Sequence, residues 1–386
     1  MTLATPNPTE RHLPVEAQLA VQAQIPVEPE IPLEQSAAPV DPQRRAQILD
    51  DPGFGKYFSD HMFVAQWSPE HGWHDPAVKP YGPFSLNPAT SVLHYAQEIF
   101  EGLKAYRHPD GSVWAFRPTV NAARFQRSAV RLALPQLPTG SFISAIRALV
   151  AADVGWVPSG GEKSLYIRPF MFASEVFLGV RSAKQVTFAI IASPAGSYFG
   201  GGVKPVTIWL SEEFTRSAPG GTGAAKCGGN YAASLLAQQE ATAQGCDQVA
   251  FLDAAERSAV EELGGMNLFF VYADGTIVTP ELTGTILEGV TRSSVIELAD
   301  ELGHKVVERR ITVDEWRDGV ASNEITEVFA CGTAAVLTPV ATLKWPGGAV
   351  SSGPDAGPIT MRLRQHLLDI QHGQVADSHG WMHRLV

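Results

Sequence analysis

The chain has 386 residues, long enough for two domains and a sizeable core, and its 45% hydrophobic and 18% charged content is that of a globular protein. A net charge of -11 argues against nucleic acid or an anionic membrane as partner, since both reward a basic surface; local positive clefts for small anions stay compatible with it. Three scattered cysteines, Cys227, Cys246 and Cys331, make neither a disulfide framework nor a zinc spacing, and no apolar run approaches the roughly 18 residues of a membrane helix, so a cytoplasmic enzyme is expected.

Residues 1–46 are rich in Pro, Glu, Gln and Ala and read as a disordered tail with a short helix over residues 15–24, unlike a signal or transit peptide. A strand-like run follows over residues 57–67, interrupted at 59–61, and Trp73-His74-Asp75-Pro76 marks a turn. Residues 91–106 read as a short helix ended near Gly102, then a strand entering the Pro109-Asp110-Gly111 turn, with the return strand over 113–116. A helix over residues 121–134 starts at the polar Asn121 and buries Ala122, Phe125, Ala129 and Leu132 at helical spacing. Arg124, Arg127 and Arg131 lie off or beside that face, where a solvated arginine is the ordinary reading. A second helix covers residues 142–153. The strand 165–170 places Tyr166 and Arg168 on one face, as an edge pair or as a site for a carboxylate. After a buried strand at 185–193, the Gly/Pro-dense residues 194–202 mark a domain boundary.

The second half starts with a strand at 206–210 and then the stretch R-S-A-P-G-G-T-G-A-A-K-C-G-G-N-Y, from Arg216 to Tyr231. Asn230 can cap a helix ending at Gly245; strands follow at 248–253 and 260–262, and a hairpin crosses Asp274-Gly275 between residues 267–273 and 276–279. Gly289-Val290-Thr291 opens a helix through Leu302, Thr312-Val313-Asp314-Glu315 has capping-box spacing, and a strand at 327–330 runs into Gly332-Thr333. Residues 346–358 read as a loop before a helix over 359–372.

The glycine-flanked lysine carries the chemistry. Lys226 has only small neighbours, and glycines on both sides let backbone crowd close to whatever its amine meets, which suits Schiff-base chemistry with a carbonyl cofactor. A structural glycine-rich turn is the competing reading. A phosphate-cradling G-x-x-x-x-G-K-[ST] loop fails at two fixed positions, Ala225 and Cys227. If the partner is pyridoxal phosphate, its phosphate needs helix-start N–H groups, hydroxyls and an arginine, which Gly289-Val290-Thr291 and Gly332-Thr333 can supply in part. Its ring nitrogen needs a facing carboxylate: Glu261 and Glu262 are the candidates, and strand alternation allows only one.

Taken together, these stretches resemble the fold-type-IV pyridoxal-phosphate enzymes, and among them the branched-chain amino-acid aminotransferases. The resemblance runs from about Phe54 to Pro339 and rests on F-G-x-x-F-S-D-H-M, L-H-Y-A-Q-E-I-F-E-G-L-K-A, R-S-A-V-R, L-Y-I-R-P, G-G-T-G-A-A-K-C-G-G-N-Y, M-N-L-F, G-V-T-R and G-T-A-A in this order. It implies a mixed α/β fold of two domains: a smaller N-terminal one over residues 47–193, and a larger pseudo-barrel domain over 203–386 that binds the cofactor. It implies reversible amino transfer between L-leucine, L-isoleucine or L-valine and 2-oxoglutarate, through a Lys226 aldimine and a pyridoxamine form, in a homodimer. By resemblance Arg124 and Arg216 lie on the phosphate side with Gly289, Val290, Thr291, Gly332 and Thr333; Tyr231 meets the phenolic oxygen; Glu262 faces the ring nitrogen. Phe54, Phe100, Tyr166 and Tyr198 match the side-chain pocket, with Tyr95 as its wall from across the dimer. Arg168 matches the group that takes the second carboxylate of glutamate, and Thr333 and Ala334 the α-carboxylate turn. Ala335 and Thr338 replace the redox cysteine pair of the vertebrate enzymes. D-amino-acid aminotransferases and aminodeoxychorismate lyases share the lysine and glutamate but not this aromatic pocket. A nucleotide-binding protein with a degenerate P-loop is the reading from another class.

Overall fold

The computed structural model describes residues 31–196 and 203–386. Two sheets organise them. The chain begins with α1 (Pro42–Asp50), β1 (His61–Ser68), β2 (Gly72–Pro80), α2 (Val92–Tyr95), β3 (Glu98–Phe100), β4 (Leu103–Arg107), β5 (Val113–Phe116), α3 (Pro118–Arg131), α4 (Thr139–Ala152), β6 (Ser164–Ala173) and β7 (Val186–Ala195). It continues with β8 (Val206–Ser211), α5 (Gly228–Ala232), α6 (Leu235–Ala243), β9 (Gln248–Leu252), β10 (Val260–Leu263), β11 (Asn267–Tyr272), β12 (Ile277–Thr279), α7 (Val290–Glu301), β13 (Val306–Glu308), α8 (Val313–Ala321), β14 (Ile325–Gly332), β15 (Val336–Trp345), β16 (Gly348–Ser351), α9 (Pro358–Gln371) and β17 (Met382–Arg384).

The first sheet runs β17-β5-β4-β6-β7-β1-β2, with β3 added on β6. Helices α3 and α4 cover one face, and Phe63, Phe125, Phe142 and Phe188, all 0% exposed, meet between them. Each such aromatic contributes on the order of 2–3 kcal/mol by leaving water. In the second sheet β10-β9-β8-β15-β14-β11 run in order and β10 also pairs with β11, closing a six-stranded barrel. Its two parallel joins, β8 with β9 and with β15, lie side by side and the other four are antiparallel, giving the mixed α/β fold. Tyr106 and Phe116 of the first sheet pack with Phe329 of the second, Val290 of α7 and Leu363 of α9, so the two units share a core.

Several elements differ from their sequence reading, each for a local reason. Residues 31–46 are not all tail: Leu33 bridges to Val78 and Asp41 caps α1 by accepting from Gln43 and Arg44. The helix over 15–24 and the pocket residue Tyr198 lie outside the described residues. Trp73 to Pro76 belong to β2, not to a turn; an edge strand tolerates proline, and Asp75 takes a φ of 50° where the pairing with β1 shifts register. Helix α2 stops at Ala96, φ 47°, because Glu98–Phe100 is claimed by pairing with β6. Helix α3 starts three residues early on Pro118, whose fixed φ suits the first helical position. Asn121 and Asn230, expected as caps, are buried inside helices instead. The loop at 346–358 contains β16, reached through Gly347 at φ 91°. The last strand, β17, returns to the first sheet beside β5, which the assignment of 203–386 to one unit did not anticipate.

Candidate active site

The lysine loop is fixed from three sides. The Lys226 backbone N–H donates to Ser128 Oγ on α3 at 2.9 Å, and its carbonyl accepts from the Phe100 N–H on β3 at 2.9 Å. Asn230 donates to the Thr222 and Ala225 carbonyls, both at 2.8 Å, and accepts from Thr222 Oγ1 at 2.6 Å, so the glycines are tied rather than loose. These bonds aim the amine inward: Nζ donates to Tyr231 Oη at 2.7 Å and lies 4.7 Å from the Phe100 ring centre.

The amine faces a cavity of about 190 Å³ between the two sheets. It is lined by Phe54, Phe100, Arg124, Tyr166, Arg168, Lys226, Tyr231, Glu262, Gly289, Val290, Thr291, Gly332, Thr333 and Ala334, nearly the whole set expected from the motifs. On one wall, α7 begins with no side-chain cap, leaving the first-turn N–H groups at Val290 and Thr291 toward the cavity; helix starts of this kind favour anions. Arg124 is 4% exposed and forked onto Glu101, with Nε at 2.7 Å and Nη2 at 2.8 Å, while Nη1 donates to the Glu288 carbonyl at 2.9 Å. Burial alone would raise the Glu101 carboxyl, but Arg124 outweighs it and holds the carboxyl below its usual range. Asn121 completes this pair with 2.8 Å to Glu101 Oε2.

Glu262 sits on the opposite wall, 1% exposed, and accepts from the Leu287 N–H and from Arg216 Nη1, both at 2.8 Å. Burial pushes its carboxyl up to about 7, against the pull of Arg216 and the Leu287 amide. Arg216 therefore corrects an expectation. It does not lie on the phosphate side; it stands behind Glu262, donating also to the Thr285 carbonyl at 3.1 Å, because a buried carboxylate needs its own cation. Tyr95, expected as a pocket wall from across a dimer, does not line this chain's own cavity; it is 42% exposed, with its hydroxyl donating to the Leu178 carbonyl.

The third wall is cationic and aromatic. Arg168 Nη2 donates to Tyr166 Oη at 2.9 Å, its guanidinium carbon lies 4.8 Å from the Phe100 ring centre, and its buried Nε has no partner. Tyr166 in turn meets Phe54 edge-on at 5.1 Å. A Cβ at Gly102 would collide with the Tyr166 hydroxyl, and one at Gly289 with the Asn267 amide oxygen, so both glycines are required by close approach. Residues 333–335 form the turn joining β14 and β15, and Val336 just after it adopts φ 61°, a costly conformation for a β-branched residue.

Several supporting residues carried no role at the site in the sequence reading: Ser128, Glu101, Asn121 (read only as a helix start), Asn267 and Lys104. Lys104 could have been found, since a lysine on the apolar strand Leu103–Arg107 is unusual. It is 4% exposed and its Nζ donates to the Ala334 carbonyl at 2.9 Å, holding the 333–335 turn. Burial, with Arg364 nearby, lowers its ammonium to about 8.

A family model for amino-transferase class IV matches residues 98–343. The probable branched-chain-amino-acid aminotransferase of Streptomyces coelicolor is 61% identical over 352 residues, 91% of this chain and 97% of that protein. The chain belongs to the branched-chain-amino-acid aminotransferases of class IV. Another relative, from Mycolicibacterium smegmatis, is 57% identical over 347 residues, 88% of this chain and 94% of its own. Among solved structures, the T.th. branched-chain amino acid aminotransferase complexed with N-(5'-phosphopyridoxyl)-L-glutamate superposes with a TM-score of 0.66 at 30% identity, covering 83% of this chain and 98% of that one. The same enzyme complexed with 4-methylvaleric acid gives a TM-score of 0.68.

The cavity fits the family's cofactor by its own chemistry. An uncapped helix start and a buried arginine suit a phosphate dianion, a buried carboxylate opposite suits a protonated ring nitrogen, and the lysine–tyrosine pair lies between them. Among the described residues no cluster of His, Cys, Asp or Glu could hold a metal, and no helix is long and apolar enough to cross a membrane.

Proposed function

We propose that this aminotransferase moves the amino group reversibly between L-leucine, L-isoleucine or L-valine and 2-oxoglutarate, using pyridoxal phosphate. The observation that carries the reading is the Lys226–Tyr231 pair sharing one cavity with Glu262 and Arg168. The two ligands of the T.th. enzyme support it: one contains a glutamate, the other a branched aliphatic acid.

When bound, pyridoxal phosphate supplies an electron sink for charge developing at the amino acid's α carbon. The chain's own residues do the rest. Backbone N–H groups at Val290 and Thr291, with Thr333 and Arg124, would hold the phosphate; Glu262 would keep a proton on the ring nitrogen; Tyr231 would hydrogen-bond the phenolic oxygen. Lys226 Nζ carries a proton to and from the α carbon, steered by the Tyr231 hydroxyl. The 333–335 turn takes the α-carboxylate. Phe100, Tyr166 and Phe54 enclose a branched side chain and exclude water, and Arg168 gives the second carboxylate of glutamate its partner, so one pocket serves both substrates. Arg216 acts through Glu262.

The same reading assigns residues 47–193 and 203–386 as two domains around the cofactor, in a cytoplasmic homodimer. Support for the dimer comes from the apolar surface around Leu93, Tyr95, Val176, Leu178 and Val180, all at least 42% exposed. The deciding experiment is the visible absorbance of the pyridoxal-phosphate-loaded protein. L-leucine should bleach the band and 2-oxoglutarate restore it; a band answering D-alanine alone would overturn the substrate class.

A further inference from the structure

Successive residues of a strand face opposite ways, so on β10 Glu262 faces the cofactor cavity while Glu261 faces away from it. Behind β10 lies a second cavity of about 260 Å³, and Glu261 forms part of its wall. Glu261 is 5% exposed: Oε1 accepts from Thr285 Oγ1, but Oε2 is buried with no partner. Burial pushes this carboxyl above its usual range, against the Thr285 hydrogen bond and the more distant pull of Arg216. Around it the cavity is apolar, with Val260, Pro280, Ile286 and Pro219, and Ala255 stands at the exposed mouth beside Arg310. Of the other carboxylates lining it, Asp253 accepts from the amides of Glu256, Ser258 and Ala259 and Glu256 pairs with Arg310, while Glu281 is exposed to solvent. No metal-ligating cluster exists among the described residues.

A buried orphan carboxylate oxygen beside an apolar chamber asks for a cation that brings its own hydrocarbon. We propose that this cavity is a second ligand site, distinct from the cofactor cavity, that takes a small alkylammonium ion with a compact branched tail, its N–H meeting Glu261 Oε2. An amine and an amino acid share this chemistry; the amino acid would add a carboxylate within reach of Arg310 at the mouth.

The test is titration calorimetry on the cofactor-loaded protein with N,N-dimethylisobutylamine, which is protonated at pH 7 and, being tertiary, cannot condense with an aldehyde. Binding is therefore independent of the aminotransferase reading. One saturable event per chain is expected, weakened at least tenfold in E261Q and abolished in A255F, which closes the mouth from an exposed position. Turnover at Lys226 should be unchanged in both variants. N,N-dimethyl-L-valine binding more tightly than the bare amine would identify an amino-acid site; the reverse order would identify an amine site. No saturable binding, or equal binding to the wild type and both variants, would overturn the proposal. Should E261Q fold poorly, A255F decides alone.

Discussion

At the scale of single residues, the two substrates separate at Arg168. Its stack on Phe100 and its bond to Tyr166 leave Nε without a partner, ready for a carboxylate that leucine does not have. R168A should raise KM for glutamate about 30-fold or more, on the order of 2 kcal/mol, and that for leucine by less than about threefold. Equal losses in steady-state kinetics would remove the division of labour. Glu262 gives a pH signature. In the cofactor-free protein its folded pKa, about 7, lies above the ordinary value of 4.5, so the folded state holds a proton that the unfolded state has released. Stability should therefore fall as pH rises between these values, and E262Q should flatten that slope in thermal melts. Lys104 offers a second titration. Its ammonium, lowered to about 8, holds the Ala334 carbonyl, so kcat/KM for both substrates should decline as it deprotonates. K104M should lose about tenfold, the worth of one charge-assisted hydrogen bond. K104R should keep activity and lack that alkaline decline, since arginine does not deprotonate there.

At the scale of elements, the lysine loop depends on helix α3 as much as on its own glycines. S128A removes the acceptor of the Lys226 N–H at an otherwise packed site, and should lower kcat several-fold with little change in melting temperature. A melting loss without a kcat change would make Ser128 merely structural. How much was legible follows from how local each signal is. Lys226, Tyr231 and the Val290–Thr291 helix start were readable because glycines, spacing and helix onset lie within a few residues of one another. Strand alternation left Glu261 and Glu262 open, and only the family resemblance chose Glu262. Arg216 misled because its position in the chain says nothing about direction: it points behind Glu262 rather than toward the helix start. Asn121 and Asn230 look like caps locally and became internal ties because Glu101 and the Ala225 carbonyl reach them from elsewhere. Strain at Val336 has no local sequence sign at all.

At the scale of the whole molecule, the exposed apolar surface from Leu93 to Val180 calls for a cover. A second copy of the chain should supply it, so light scattering should give twice the 41.5 kDa chain mass, and L178E should reduce it to one. A wild-type monomer would assign that surface another role. The pairing of β17 with β5 has a kinetic counterpart during synthesis. Ala115 meets His383 only after the entire second sheet has been made. At roughly 5–20 residues per second, the nascent first sheet waits on the order of tens of seconds with the β5 edge open, and an open edge invites pairing with another chain. The ribosome-bound chain is thus a natural client for chaperones over that interval, and the finished edge marks the moment when it ceases to need them.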